Sequence, residues 1–194
     1  TFTSMITAAG NNNCIDLAEN VFRMALARNQ ANAVTFASMI TTAGNNKCIA
    51  LAQKAFDIAL ERNQADVVTL NSMITAAGNN NRIALAQKAF EIALERNQAN
   101  AVTFASMITA AGNNNCIDLA ENVFRMALAR NQADAVTHAN IINARQKNTV
   151  SVQPAPTARY RHNPYSLVCS WEFDNTAPHL DPVSTGTSSL TLRQ

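Results

Sequence analysis

Residues 103–136, TFASMITAAGNNNCIDLAENVFRMALARNQADAV, are one copy of a 34-residue unit written several times over. Residues 1–34 repeat it almost letter for letter, residues 35–68 and 69–102 are looser copies, and a fifth copy opens at Thr137 with THANII. A fixed period of this length makes each copy one supersecondary element that buries its apolar face only by stacking on its neighbours. With 47% hydrophobic residues and four full units, the chain has enough apolar surface for a continuous core. Its apolar runs are short and interrupted, well below the roughly 20 residues of a membrane span.

Within a unit the apolar residues fall at helical spacing. Phe2, Met5, Ile6 and Ala9 form one stripe of a first helix, with Thr1 as its N-cap candidate. Gly10 reads as the stop, because Gly and Asn tolerate a left-handed C-cap, and Asn11, Asn12 and Asn13 supply the turn. Asn13 then caps a second helix, with Asp16 in its first turn and a stripe of Ile15, Ala18, Phe22, Ala25 and Leu26 that ends near Arg28. The unit is a helical hairpin. Ala18, Ala52, Ala86 and Ala120 alternate with Phe22, Phe56, Phe90 and Phe124, which is the small-against-large pattern of a packed core.

Charge and chemistry narrow the function. Acidic and basic side chains cancel over residues 1–136, so the array lacks the basic face typical of nucleic-acid binders. Cys14, Cys48 and Cys116 share one repeat position, too far apart along a solenoid to hold a metal, and read as reduced, partly buried residues of an intracellular protein. Arg82 takes that place in the third unit. His138, His162 and His179 stand outside the full units without a recognisable nucleophile or carboxylate partner. The sequence points to no enzyme, cofactor, metal or small-molecule substrate. Residues 144–194, with five prolines, read as an irregular or disordered tail in which YSLVCSWEF, residues 165–173, is the apolar cluster and Arg159, Tyr160 and Arg161 the basic one. No initiator Met or targeting pattern is present, and a fragment of a longer protein is compatible with the phase at Thr1.

Two repeat families have this period. The tetratricopeptide repeat matches Ala18, Phe22 and Ala25, but its Trp, Leu-Gly, Tyr and closing Pro are absent. The opening VTF-x-SMI-x-A-x-G of residues 102–112 resembles instead the pentatricopeptide repeat, whose first helix opens Val-Thr-Tyr or Val-Thr-Phe before a Leu-Ile or Met-Ile pair. The resemblance covers residues 1–143. It implies an all-α solenoid, a right-handed superhelix of helix-turn-helix repeats, that binds single-stranded RNA at one base per unit without catalysis, in RNA processing, stability or translation. It also implies an intracellular location, mitochondrial or plastid in a eukaryote and cytoplasmic otherwise. The base readers it implies are the pairs Thr3 with Asn32, Ala37 with Asp66, Asn71 with Asn100, and Ala105 with Asp134, all on an exposed inner face. Val34, Val68, Val102 and Val136 take the base-sandwiching position. Asn11, Asn45, Asn79 and Asn113 stand where the family often has a phosphate-contacting Lys. A protein-binding scaffold of the tetratricopeptide kind is the alternative.

Units one and four differ only at Thr3 versus Ala105 and Asn32 versus Asp134, the two implied reader positions. The phenylalanines, by contrast, read as core. Truncating Phe90 to Ala is expected to cost about 3–5 kcal/mol in chemical denaturation.

Overall fold

The computed structural model describes the backbone of residues 1–151 and the side chains of residues 1–147. His162, Cys169, His179, the 165–173 cluster and the basic cluster at 159–161 lie outside the described residues. Within them the chain is all-α, and each unit is two helices. The first helices are α1 (Phe2–Asn11), α3 (Ala33–Asn45), α5 (Val67–Asn79) and α7 (Ala101–Asn113), and the second helices are α2 (Ile15–Ala27), α4 (Ile49–Glu61), α6 (Ile83–Glu95) and α8 (Ile117–Ala129). A ninth helix, α9 (Ala135–Ser151), is the first helix of the fifth copy. It buries Ala144 and runs past the boundary at residue 143 that the sequence suggested.

The asparagines, not the glycine, end the helices. Asn13, Asn81 and Asn115 take φ of 56°, 55° and 56° after α1, α5 and α7, and Lys47 takes 61° after α3. The amide N–H of Asn13 donates to Gly10 O and that of Cys14 to Ala9 O, the paired bonds of a Schellman cap. Asn29, Asn63, Asn97 and Asn131 close the second helices in the same way, at φ between 52° and 54°. Asn13 is therefore not the N-cap of α2. That place is held by Cys14, without a side-chain bond to the helix, as it is by Cys48 and Cys116 in their units. Thr1 does cap α1, accepting from the Ser4 N–H. In the later units, however, the helix starts earlier and Thr35, Thr69 and Thr103 lie inside its first turn, fully or almost fully buried.

Gly10 stays helical because of what lies opposite. A Cβ at Gly10 would sit 2.4 Å from Thr42 Cγ2, and one at Gly44, Gly78 or Gly112 would sit 2.6, 2.5 or 2.7 Å from the Cβ of Ala76, Ala110 or Ala144. Each glycine is a notch that receives the small side chain of the next first helix. The first helices therefore pack directly on one another, α1 on α3, α3 on α5, α5 on α7 and α7 on α9, and each second helix packs on the first helices before and after it.

The close approach is latched at the helix ends. Asn46 Nδ2 donates to Thr42 O of its own helix at 2.8 Å and to Gly10 O of the preceding unit at 3.3 Å. Asn80 bridges Ala76 O and Gly44 O, and Asn114 bridges Ala110 O and Gly78 O, all between 2.7 and 3.0 Å. A carbonyl oxygen has two lone pairs, so Gly10 O, which already accepts from the Asn13 N–H, takes the Asn46 amide as a second donor, and one side chain ties two helix ends together.

On the other side the phenylalanines fill the space between the layers. Phe22, Phe56 and Phe90 are buried, and Phe22 and Phe90 meet Phe36 and Phe104 edge-on at 5.5 Å between ring centres. Phe124 meets His138 edge-on at 5.0 Å in the same way and is only half-buried. Gly78→Ala is expected to destabilise the array by about 1–3 kcal/mol, the range for overpacking a tight interior. Adding Ala110→Gly should recover part of the loss, and urea denaturation of the three variants checks both.

Candidate nucleic-acid interface

The first-helix layer presents one repeated constellation. Val34, Val68, Val102 and Val136 recur at the second residue of α3, α5, α7 and α9, and each is more than half exposed. Exposed valine is common at single sites, but here it forms a periodic row. Two residues earlier stand Asn32, Asp66, Asn100 and Asp134, and these are the N-caps of α3, α5, α7 and α9. Asn32 Oδ1 accepts from both the N–H and the hydroxyl of Thr35 at 3.0 Å. Asp66 Oδ1 does the same with Thr69 at 2.8 Å, and Asn100 Oδ1 with Thr103 at 3.1 Å. Asp134 Oδ1 accepts from the Thr137 N–H at 2.8 Å and its hydroxyl at 2.7 Å.

This capping was not read from the sequence, although Asn or Asp three residues before a Thr is a capping pattern. It explains why the unit's Thr is buried: its hydroxyl fixes the cap. The cap in turn fixes one oxygen of each Asn or Asp, leaving Nδ2 of the amides and Oδ2 of the carboxylates as the second polar atom. Asn32, Asn100 and Asp134 are exposed and Asp66 is half-buried.

The other reader column lies deeper than the exposed face the sequence suggested. Ala37 and Ala105 are only 6% and 7% exposed, and Thr3 and Asn71 are half-buried. Asn71 Oδ1 is buried without a hydrogen-bond partner. Where alanine stands, space is left. Ala105 and Asp134 line one hollow of about 350 Å³ together with Val102, Val136, Ser106 and Asn140. Ala37 lines another with Val34 and Val68, and Thr3, Asn32 and Val34 share a third at the start of the array. Both positions that distinguish units one and four thus open on a common hollow in each of those units.

The electrostatics of the layer are weak. Helices α1, α3, α5 and α7 contain no Asp, Glu, Lys or Arg, so the charge of the four units sits on the second helices and the turns. Asn11, Asn45, Asn79 and Asn113 are exposed at the ends of the first helices, and the same register in α9 holds Lys147, whose Nζ donates to Asn113 Oδ1 at 2.7 Å. No group of His, Cys, Asp or Glu among the described residues is placed to hold a metal. Cys14 is exposed and Cys48 and Cys116 are half-buried, all as free thiols. No helix among the described residues is long and apolar enough to cross a membrane.

Asp134 is also electrically tuned by its cap. The Thr137 hydroxyl, and after it the Thr137 N–H, hold its carboxyl below the ordinary value of 3.8, against a smaller opposing effect of desolvation. A carboxyl depressed in the folded state adds stability above its unfolded value, and that contribution is lost as pH falls through the folded one. Asp134→Asn keeps the capping oxygen but removes the titration. Its expected outcome is a smaller loss of stability than the parent as pH falls through and below the ordinary carboxylate range, read from denaturant midpoints at successive pH values.

Residues 1–29 and 102–131 match the family model described as PPR repeat. The fold is similar to that in the crystal structure of the pentatricopeptide repeat protein PPR10 from maize, with a TM-score of 0.60 at 19% sequence identity. That similarity covers 78% of this chain and 24% of the maize protein, so the present chain spans about a quarter of the length of its structural neighbour. No curated protein sequence matches the chain.

Proposed function

We propose that this chain, a pentatricopeptide-repeat array in sequence and in fold, binds single-stranded RNA along its first-helix layer, one nucleotide per unit and without catalysis. The observation that carries the reading is the convergence of Val102, Ala105, Asp134 and Val136 on one hollow. Two apolar walls suit the faces of a base, and the polar atom between them suits its edge. Val34, Val68, Val102 and Val136 supply the walls in this reading, and the pairs Thr3 with Asn32, Ala37 with Asp66, Asn71 with Asn100, and Ala105 with Asp134 supply the edges.

Cap geometry gives each edge a sign. With Oδ1 bound to the Thr, Asn32 and Asn100 offer N–H donors, while Asp66 and Asp134 offer a carboxylate oxygen. Adenine and cytosine carry a ring-nitrogen acceptor on the Watson–Crick edge, whereas guanine and uracil carry a ring N–H. Units one and three therefore favour adenine or cytosine, with Thr3 and Asn32 set for adenine and Asn71 and Asn100 for a pyrimidine, cytosine above uracil. Units two and four favour guanine or uracil. Because the first helices of these units are uncharged, most of the affinity comes from the bases and little from phosphate neutralisation. The same lack of cationic charge favours a second reading, a peptide held in the same groove, which would show no base preference.

The double change Ala105→Thr with Asp134→Asn makes unit four a copy of unit one. Selection from randomised single-stranded RNA should then shift from guanine or uracil to adenine at that unit's base, by about 1–3 kcal/mol of preference. Identical selections for parent and variant, or no RNA binding at low salt, would leave the peptide reading in its place.

A further inference from the structure

Units two and four carry the same implied pair, Ala37 with Asp66 and Ala105 with Asp134, yet the hollows beside the two alanines are not lined alike. The residue after the deeper reader position is Ser4, Ser38, Ser72 or Ser106 in the full units and Asn140 in the fifth copy. In each of these two hollows that residue of the following unit forms part of the wall, Ser72 beside Ala37 and Asn140 beside Ala105.

Asn140 is half-buried, and a backbone carbonyl fixes which way its amide faces. Its Nδ2 donates to Ala105 O at 3.2 Å, the carbonyl that also accepts from the Thr109 hydroxyl at 2.8 Å. Only the nitrogen of an amide can donate to a carbonyl, so Oδ1 is the atom left over, and it has no partner among the described residues. Asn140 stands one turn beyond Thr137, whose N–H and hydroxyl hold Asp134 Oδ1. The wall of this hollow therefore includes two uncommitted acceptors, Asp134 Oδ2 and Asn140 Oδ1. Unit two has instead the Ser72 hydroxyl, which can donate or accept.

We propose that Asn140 is a third specificity-determining residue of unit four and narrows its choice to guanine, an inference that rests on the RNA reading of the first-helix layer. Guanine carries two adjacent donors on its Watson–Crick edge, the ring N1–H and the exocyclic amino group. Uracil carries one, its N3–H, with a carbonyl oxygen on either side. Asp134 Oδ2 takes the ring N–H of either base. Asn140 Oδ1 then meets the amino group of guanine, or a carbonyl oxygen of uracil. Two acceptors face to face leave both unpaired, and that loss disfavours uracil. Unit two makes no such distinction, because the Ser72 hydroxyl rotates to suit either base.

The test is a reciprocal exchange in the full chain, Asn140→Ser and Ser72→Asn, with selection from randomised single-stranded RNA read at the two bases concerned. The parent is expected to prefer guanine over uracil by about tenfold at the base of unit four and to accept both at that of unit two. Asn140→Ser should erase the preference at unit four, and Ser72→Asn should create it at unit two. Rejection of adenine and cytosine should be unchanged at both, since it rests on Asp134 and Asp66. Denaturant midpoints measured alongside separate reading from packing. A lowered midpoint with the base preference intact overturns the proposal and leaves Asn140 as a clamp between α7 and α9. Equal weakening toward all four bases also overturns it, because the amide would then contact sugar or phosphate. RNA bound by the parent with no preference for guanine at unit four defeats this inference alone. Absence of RNA binding at low salt defeats it together with the reading beneath it.

Discussion

The arrangement depends on the contact between a glycine in one first helix and a small side chain in the next. Because Gly10, Gly44, Gly78 and Gly112 have no Cβ, first helices approach until Thr42, Ala76, Ala110 and Ala144 sit in the notches. That approach brings Asn46, Asn80 and Asn114 within reach of carbonyls in two units. It also repeats the caps and the exposed valines along one surface. The second helices carry Phe toward the interior and pack on the first helices before and after them.

Much of this was legible in the sequence, for an identifiable reason. The hairpins and the Phe row follow from spacing along the chain, and spacing is local. Gly10 was misread because a glycine before a run of asparagines is also the signature of a helix end. Only Thr42, on another helix, distinguishes a stop from a notch. Asn13 was misread in the same way, since an Asn between two helices can close the first or open the second. Its φ of 56° shows that it closes α1. The length of α9 was missed because Arg145, Gln146 and Lys147 break the repeat without breaking the helix.

The candidate site was legible in part. The two differences between units one and four, read against the resemblance, pointed to the positions that share the hollows. That Asn32, Asp66, Asn100 and Asp134 are also caps is hidden in the sequence, because three residues before the unit's Thr is at once a repeat register and a capping distance. The burial of Ala37 and Ala105 was hidden as well, since alanine is compatible with either surface or core.

Capping restricts what the outer reader column can become. A side chain at the position of Asp134 must keep an acceptor for the Thr137 N–H and hydroxyl, or the start of α9 loses its cap. Asn, Asp, Ser and Thr meet that condition, and larger or apolar residues do not. If the array is retuned by mutation, its alphabet at this column is the short alphabet of helix starts, and drift within that alphabet changes the offered hydrogen bond while leaving the scaffold intact.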